Sequence, residues 1–98
     1  MDKTSELDRA IVEGTRLFKE GSAESLRKAI SQFEKALELA RSAQAKDKQA
    51  LSLLALGRLY SALGEKQKAL DYYNQALPLR RAVGDRNGEA ITLDSLGK

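Results

Sequence analysis

The feature that most constrains this chain is an internal repeat with a period of 40 residues. Small and large apolar residues recur in the same order in both copies, over a distance of two helix lengths. The equivalent positions are Lys28 and Lys68, Ala29 and Ala69, Phe33 and Tyr73, Ala36 and Ala76, Leu53 and Leu93, Leu56 and Leu96, and Gly57 and Gly97. Units of this size stack and bury their apolar faces against one another. The sequence therefore predicts an all-α repeat array.

The composition excludes most familiar catalytic chemistry. The chain has 98 residues, no cysteine and no histidine. Disulfide bonds, thiolate metal sites, histidine bases and Cys-His or Ser-His nucleophile pairs are therefore excluded. The sequence has no glycine-rich phosphate loop and no acidic cluster with the spacing of metal ligands. We expect a single domain that is not an enzyme and that binds no cofactor and no metal.

The charge pattern indicates neither a nucleic-acid nor a membrane partner. The net charge is +3, but Lys and Arg alternate with Asp and Glu, and only 5% of the residues are aromatic. Nucleic-acid surfaces usually combine basic patches with aromatic rings. The longest apolar stretch, residues 53–56, is far shorter than the roughly 20 residues that span a bilayer, and the polar start is no signal peptide. We expect no nucleic-acid partner, no membrane partner and a cytoplasmic location.

Helix-favouring residues predict five helices. They are placed at about 6–20, 23–44, 47–63, 66–83 and 87–98. Thr4 or Ser5 is the predicted N-cap of the first helix, with Asp8 placed to complete a capping box with Ser5. Ser22 is the predicted N-cap of the second helix.

Glycine and proline mark the predicted helix ends and one irregularity. Gly21 ends the first helix, and Gly64 supplies the left-handed residue after the third. Pro78 lies inside the fourth helix, where it lacks an N–H donor and crowds the carbonyl of Asn74. We therefore predict a kink in the fourth helix.

The last predicted helix, from Asn87 to Lys98, has no partner helix after it. We therefore expect either a fragment of a longer protein or an array that another chain completes. Ile91, Leu93 and Leu96 form an apolar stripe whose second side lacks a cover. We predict that two copies associate through this terminal helix as a homodimer.

The best-patterned unit, residues 53–81, resembles the tetratricopeptide repeat (TPR) family. Its residues fall at the family's spacing in the positions of W, L-G, Y, G, A, F or Y, and A. They are Leu53, Leu56, Gly57, Tyr60, Gly64, Ala69, Tyr73 and Ala76. The first unit matches at Gly14, Leu17, Ala29, Phe33 and Ala36. The long period is similar to the subgroup found in kinesin light chains, long-repeat G-protein regulators and many bacterial and cyanobacterial multidomain proteins.

The resemblance implies an α-solenoid, a right-handed superhelix of antiparallel helix pairs. It implies a first repeat at about 5–45, a second at about 47–84 and the first helix of a third at about 87–98. Gly57 and Ala69 would allow close approach of the two helices of a pair, and Tyr60 and Tyr73 would fill the space between pairs. We expect Leu56, Tyr60, Ala69, Tyr73 and Ala76 to be buried.

The resemblance also implies a concave groove, lined by the first helix of each pair, in which a partner's peptide or helix would bind. The implied groove residues are Ile11, Thr15, Phe18, Leu51, Leu54, Ala55, Arg58, Ala62, Asp94 and Lys98. Ile11, Thr15 and Ala55 occupy the positions of the clamp with which chaperone-binding members hold a C-terminal carboxylate, so capture of that type is not expected. The groove is expected to be apolar with polar ends and to suit apolar anchors.

Two alternatives remain open at this point. Leu51 and Leu54 either contact a ligand or pack on a further repeat or a neighbouring helix. The chain is either a protein-interaction module or a structural spacer or self-assembly segment of a larger protein. We expect Leu51, Leu54 and Arg58 to lie on the surface of the groove, available to a partner.

Overall fold

Helices account for most of the described part of the chain. The computed structural model describes residues 3–82, with side chains from residue 5 onward. Within that range the helices are α1 (Lys3–Glu20), α2 (Ala23–Ser42), α3 (Lys46–Ala62) and α4 (Lys66–Ala82). Each helix packs on the next one along the chain. The result is two consecutive helix pairs, α1 with α2 and α3 with α4, which confirms the predicted all-α, TPR-like repeat fold.

The turns within each pair depend on glycine. Gly21 lies between α1 and α2 with φ 78°, and Gly64 lies between α3 and α4 with φ 82°. A residue with a Cβ is disfavoured in this left-handed region. Gln44, between the two pairs, also has a positive φ of 56°, which the sequence pattern did not reveal.

The two predicted N-caps have different outcomes. Ser22 caps α2 as predicted: its Oγ accepts a hydrogen bond from the Ser25 backbone N–H at 3.0 Å. The cap predicted at Thr4 or Ser5, with its capping box to Asp8, is wrong. The helix begins at Lys3, so both residues have helical backbone, whereas an N-cap residue needs an extended one. Lys, Thr and Ser each disfavour a helix by no more than about 0.7 kcal/mol, which permits this upstream extension.

The core lies between neighbouring helices and has no single centre. Its largest cluster joins α2 and α3 with contributions from α1 and α4, and a smaller cluster joins Leu7 and Ala10 to α2. A third cluster lies within the second pair, where Leu54, Ala69 and Tyr73 pack together. This distribution is what a stacked array requires, because each helix is buried by its neighbours.

A glycine faces an aromatic ring in each pair. A Cβ on Gly14 would lie 2.7 Å from the Phe33 ring, and a Cβ on Gly57 would lie 2.6 Å from the Tyr73 ring. The ring of α2 or α4 therefore rests on the bare backbone of α1 or α3. The implied role of Tyr73 between pairs is wrong, because its buried neighbours, Leu54 and Ala69, belong to its own pair.

Four of the five residues predicted to be buried are buried. Leu56, Ala69, Tyr73 and Ala76 are each less than 5% exposed. Tyr60 is only partly buried, so that prediction is wrong. Its ring lies at the edge of the core and stacks on Tyr72 with centroids 5.5 Å apart, which leaves part of it in solvent.

The end of α4 carries the remaining irregular feature. Pro78 is exposed inside α4, and the helix continues past it to Ala82. The predicted kink stays a prediction. The predicted fifth helix, the truncated third repeat and the turn before them lie outside the described residues. No helix within residues 3–82 is both long and apolar enough to cross a membrane.

Candidate partner-binding groove

The first helices of the two pairs lie side by side and form a groove. At its upstream end the Lys48 Nζ donates a hydrogen bond to Asp8 Oδ1 at 2.7 Å, which links α3 to α1 and raises the pKa of Lys48. At the downstream end the Arg58 guanidinium lies 5.8 Å from the centre of the Phe18 ring. Asp8 is separated from Lys48 in sequence by the same 40 residues as Phe18 from Arg58, so the helices face each other in register.

Between these two contacts lies an open cavity of about 370 Å³. Seven of the ten residues implied by the resemblance line it. They are Ile11, Thr15, Phe18, Leu51, Leu54, Ala55 and Arg58. Ala62 is exposed on the last turn of α3 and does not line the cavity. Asp94 and Lys98 lie outside the described residues. The assignment of all ten residues to a binding site remains a prediction.

Leu51 and Leu54 differ in accessibility. Leu51 is 38% exposed and stands on the rim of the cavity, as expected. Leu54 is only 7% exposed, and it packs on Ala69 and Tyr73 of α4. The expectation that Leu54 lies on the surface is therefore wrong. Leu54 forms part of the cavity floor, because the side of α3 that bears it also faces α4.

Two further residues line the cavity although the sequence did not assign them to it. Phe33 reaches the floor from α2, because Gly14 has no side chain to block it. Lys19 stands on the rim beside Phe18. Lys19 follows Thr15 by one helical turn, so helical spacing from the predicted residues was a signal that could have found it. Nothing in the sequence indicated that Phe33 would reach the groove.

The electrostatics of the groove differ between its two ends. The upstream end holds the neutral Asp8 and Lys48 pair. The charged residues that line the cavity are Lys19 and Arg58, both exposed. Neither has a carboxylate partner within the described part of the chain. The downstream end of the cavity is therefore positively charged.

The neighbouring Arg16 contributes little to that charge. Its guanidinium donates hydrogen bonds to both Glu13 and Glu20 on the same helix. These bonds raise the pKa of Arg16, and the bond from Arg16 holds the pKa of Glu13 below its usual range. Thr15 is likewise engaged locally, since its hydroxyl donates to the Ile11 carbonyl at 2.8 Å.

Comparison with known proteins agrees with this architecture. Residues 22–82 match the tetratricopeptide repeat family, which is more than half of the chain. The chain belongs to the tetratricopeptide repeat family. A similar protein is human G-protein-signaling modulator 1, 35% identical over 88 residues. That alignment covers 88% of this chain but only 12% of the relative, so the chain spans a small part of the relative's length. No solved structure matches the chain.

This tetratricopeptide chain has a second cavity, of about 410 Å³, between α2, α3 and α4. Its wall includes the stacked rings of Tyr60 and Tyr72, with the Lys68 Nζ 5.2 Å from the centre of the Tyr60 ring. Burial raises the pKa of the Tyr72 hydroxyl, and the neighbouring Tyr60 and Glu34 add to the rise. Lys68 is also paired with Glu65. Arg41 and Asp71 also line this cavity, so it carries charges of both signs, unlike the groove cavity.

Proposed function

We propose that this chain is a non-catalytic protein-interaction module that binds a peptide or helix of a partner protein in the groove between α1 and α3. The observation that carries the proposal is the open cavity between these helices, with Leu51 exposed on its rim. Apolar side chains in a concave site favour a ligand that inserts apolar anchors. Membership of the TPR family supports the same role.

We further propose that the chain belongs to the long-repeat subgroup of the family. The 40-residue spacing of equivalent residues supports this. The similar human protein is named as a modulator of G-protein signalling. A module that recognises a protein of a signalling assembly is consistent with that name.

Selection from a displayed peptide library tests the proposal. Peptides selected on the wild-type chain are measured by fluorescence anisotropy against Leu51→Asp and, as a control, Val12→Asp. Val12 is an apolar residue of α1 that is 69% exposed and lies outside the cavity. We expect Leu51→Asp to weaken binding about tenfold or more, since a charge would replace an apolar contact. Val12→Asp should leave the affinity unchanged.

The control separates groove binding from adhesion to exposed apolar surface. Equal losses in both variants would show non-specific contact with apolar side chains. Binding that survives Leu51→Asp would place the site elsewhere, and failure to select any peptide would contradict an interaction role. Circular dichroism of each variant checks that the fold is intact.

The alternative function is a structural spacer or self-assembly segment of a larger multidomain signalling protein. The uncovered apolar surface around Leu51 favours it, because a second copy of the chain can bury such a surface. The predicted homodimer through the helix from Asn87 to Lys98 is one form of such assembly. Light scattering over rising protein concentration decides this: a mass of two chains supports self-assembly, and a constant single-chain mass contradicts it.

A further inference from the structure

The two ends of the groove carry different charges, and this difference bears on the chemistry of a ligand. The Asp8 carboxylate neutralises Lys48 at the upstream end. At the downstream end Lys19 and Arg58 line the cavity with no carboxylate partner among the described residues. A ligand in the groove thus meets a neutral end, an apolar centre and a positive end.

The helix dipole does not account for Arg58. Cations in the last turn of a helix stabilise it through the helix dipole, and Lys19 occupies such a position in α1. Arg58 does not, because α3 has no basic residue in its last turn. Its described contact is with the Phe18 ring at 5.8 Å. That contact holds the guanidinium over the groove and leaves its N–H donors free for an acceptor.

We propose that the groove selects a partner segment with apolar anchors followed at one end by carboxylate side chains, and that this acidic end lies beside Lys19 and Arg58. The inference rests on the proposed function and specifies its ligand. The occupant is an acidic amphipathic segment of a partner protein. Recognition differs in position from the chaperone-type carboxylate clamp, because Ile11, Thr15 and Ala55 at the clamp positions carry no charge.

Charge complementarity is the reason for choosing this occupant. A basic segment would place cations beside Lys19 and Arg58, where no described carboxylate compensates them. A neutral segment would leave both cations without an ion pair. Two exposed ion pairs of ordinary strength correspond to a preference of about fivefold for the acidic segment at low salt.

Three fluorescein-labelled peptides of about 14 residues test the proposal, with identical leucine anchors at helical spacing. Their last positions carry glutamate in one, glutamine in the second and lysine in the third. We expect the order glutamate, glutamine, lysine in affinity, with about fivefold between the first two. The difference should shrink as NaCl rises from about 50 to about 500 mM, because salt screens exposed charges.

A charge-matched pair of variants locates the effect. Lys19→Gln with Arg58→Gln should abolish the preference for glutamate, measured as the ratio of the affinities for the glutamate and glutamine peptides within the variant. Arg27→Gln with Lys35→Gln removes one Arg and one Lys from exposed positions of α2 outside the cavity, and should keep the preference. Equal loss in both double variants would show that only net charge matters and would overturn the proposal.

NMR with a spin-labelled peptide tests the proposed orientation of the bound segment. A nitroxide attached at the acidic end of the glutamate peptide should broaden the Lys19 amide signal more than the Asp8 amide signal in NMR spectra. The reverse pattern would overturn the proposed orientation.

Equal binding of all three peptides, sensitive to Leu51→Asp, would overturn the charge selection and leave the groove function standing. Absence of binding by all three would overturn the inference. Failure of the library selection as well would remove the groove function with it.

Discussion

At the residue scale, neighbouring leucines of α3 have different environments. Leu51 is 38% exposed on the rim of the groove, whereas Leu54 is 7% exposed and contacts α4. The two residues are three positions apart, which places them only about 60° apart around the helix. Both therefore line the groove cavity, but Leu54 also faces the space between α3 and α4. Leucine is therefore a surface residue at position 51 and a core residue at position 54.

This difference predicts a contrast between two otherwise equal substitutions. Leu54→Asp should lower the free energy of unfolding by about 3 kcal/mol or more, because it buries an unpaired carboxylate and removes packing on Tyr73. Leu51→Asp should change it by less than about 0.5 kcal/mol, as is usual for surface positions. Urea denaturation measures both values. Similar losses in the two variants would show that Leu51 is not a surface residue.

At the element scale, the contact of a glycine with an aromatic ring sets how closely the helices of a pair approach. Gly57 of α3 faces Tyr73 of α4, and Gly14 of α1 faces Phe33 of α2 in the same way. Because a Cβ at either glycine would overlap ring carbons, the helix axes would have to separate or the ring would have to move. In each pair the two helices thus approach closely where a glycine of one helix contacts an aromatic ring of the other.

Gly57→Ala should destabilise the second pair even though alanine favours helices. Overpacking against the Tyr73 ring costs roughly 1 to 3 kcal/mol, which exceeds the gain of about 1 kcal/mol in helix propensity. In a Tyr73→Leu background the clash is relieved, so Gly57→Ala should there be neutral or stabilising. A double-mutant cycle from urea denaturation measures the coupling. Equal effects of Gly57→Ala in both backgrounds would contradict this account.

At the scale of the whole molecule, the two first helices of the pairs bury different surfaces. When Gly14 is aligned with Gly57, the buried α3 residues Ser52, Leu56 and Leu59 correspond to Arg9, Glu13 and Arg16 of α1. The α3 residues pack among neighbouring helices, while Arg16 forms ion pairs with Glu13 and Glu20 at the surface. The buried face of α3 thus carries no charge at these positions, whereas the corresponding face of α1 is charged, as suits a helix that faces solvent.

The stability of the molecule should fall at alkaline pH partly through Tyr72. Burial raises its pKa above the ordinary value of 10.0, so the folded state holds the phenolic proton more tightly than the unfolded state does. The contribution is full below about pH 10 and is lost as the pH rises through the folded-state pKa. Tyr72→Phe cannot ionise, and it should flatten the fall in unfolding free energy above about pH 10 relative to wild type. Identical slopes would contradict the role of Tyr72.

The sequence by itself determined the helices and much of the residue chemistry. Its 40-residue period predicted the helix pairs, Gly21 and Gly64 predicted the turns within them, and Ser22 predicted the cap of α2. These features depend on local physics: helical periodicity, the left-handed preference of glycine and hydrogen bonding to the first helical turn. The resemblance to the family implied ten groove residues, and seven of these ten line one cavity.

The tertiary structure alone decided which helix covers each apolar face. Periodicity places Leu51 and Leu54 on α3 but does not say where α4 lies, and only that position buries one and exposes the other. Tyr73 packs on Gly57 of its own pair, and Phe33 reaches the groove from α2 past Gly14. The positive end of the groove likewise exists only because Lys19 and Arg58, on different helices, line the same cavity. Such contacts depend on the rotation and spacing of helices distant in sequence, which local residue preferences do not encode.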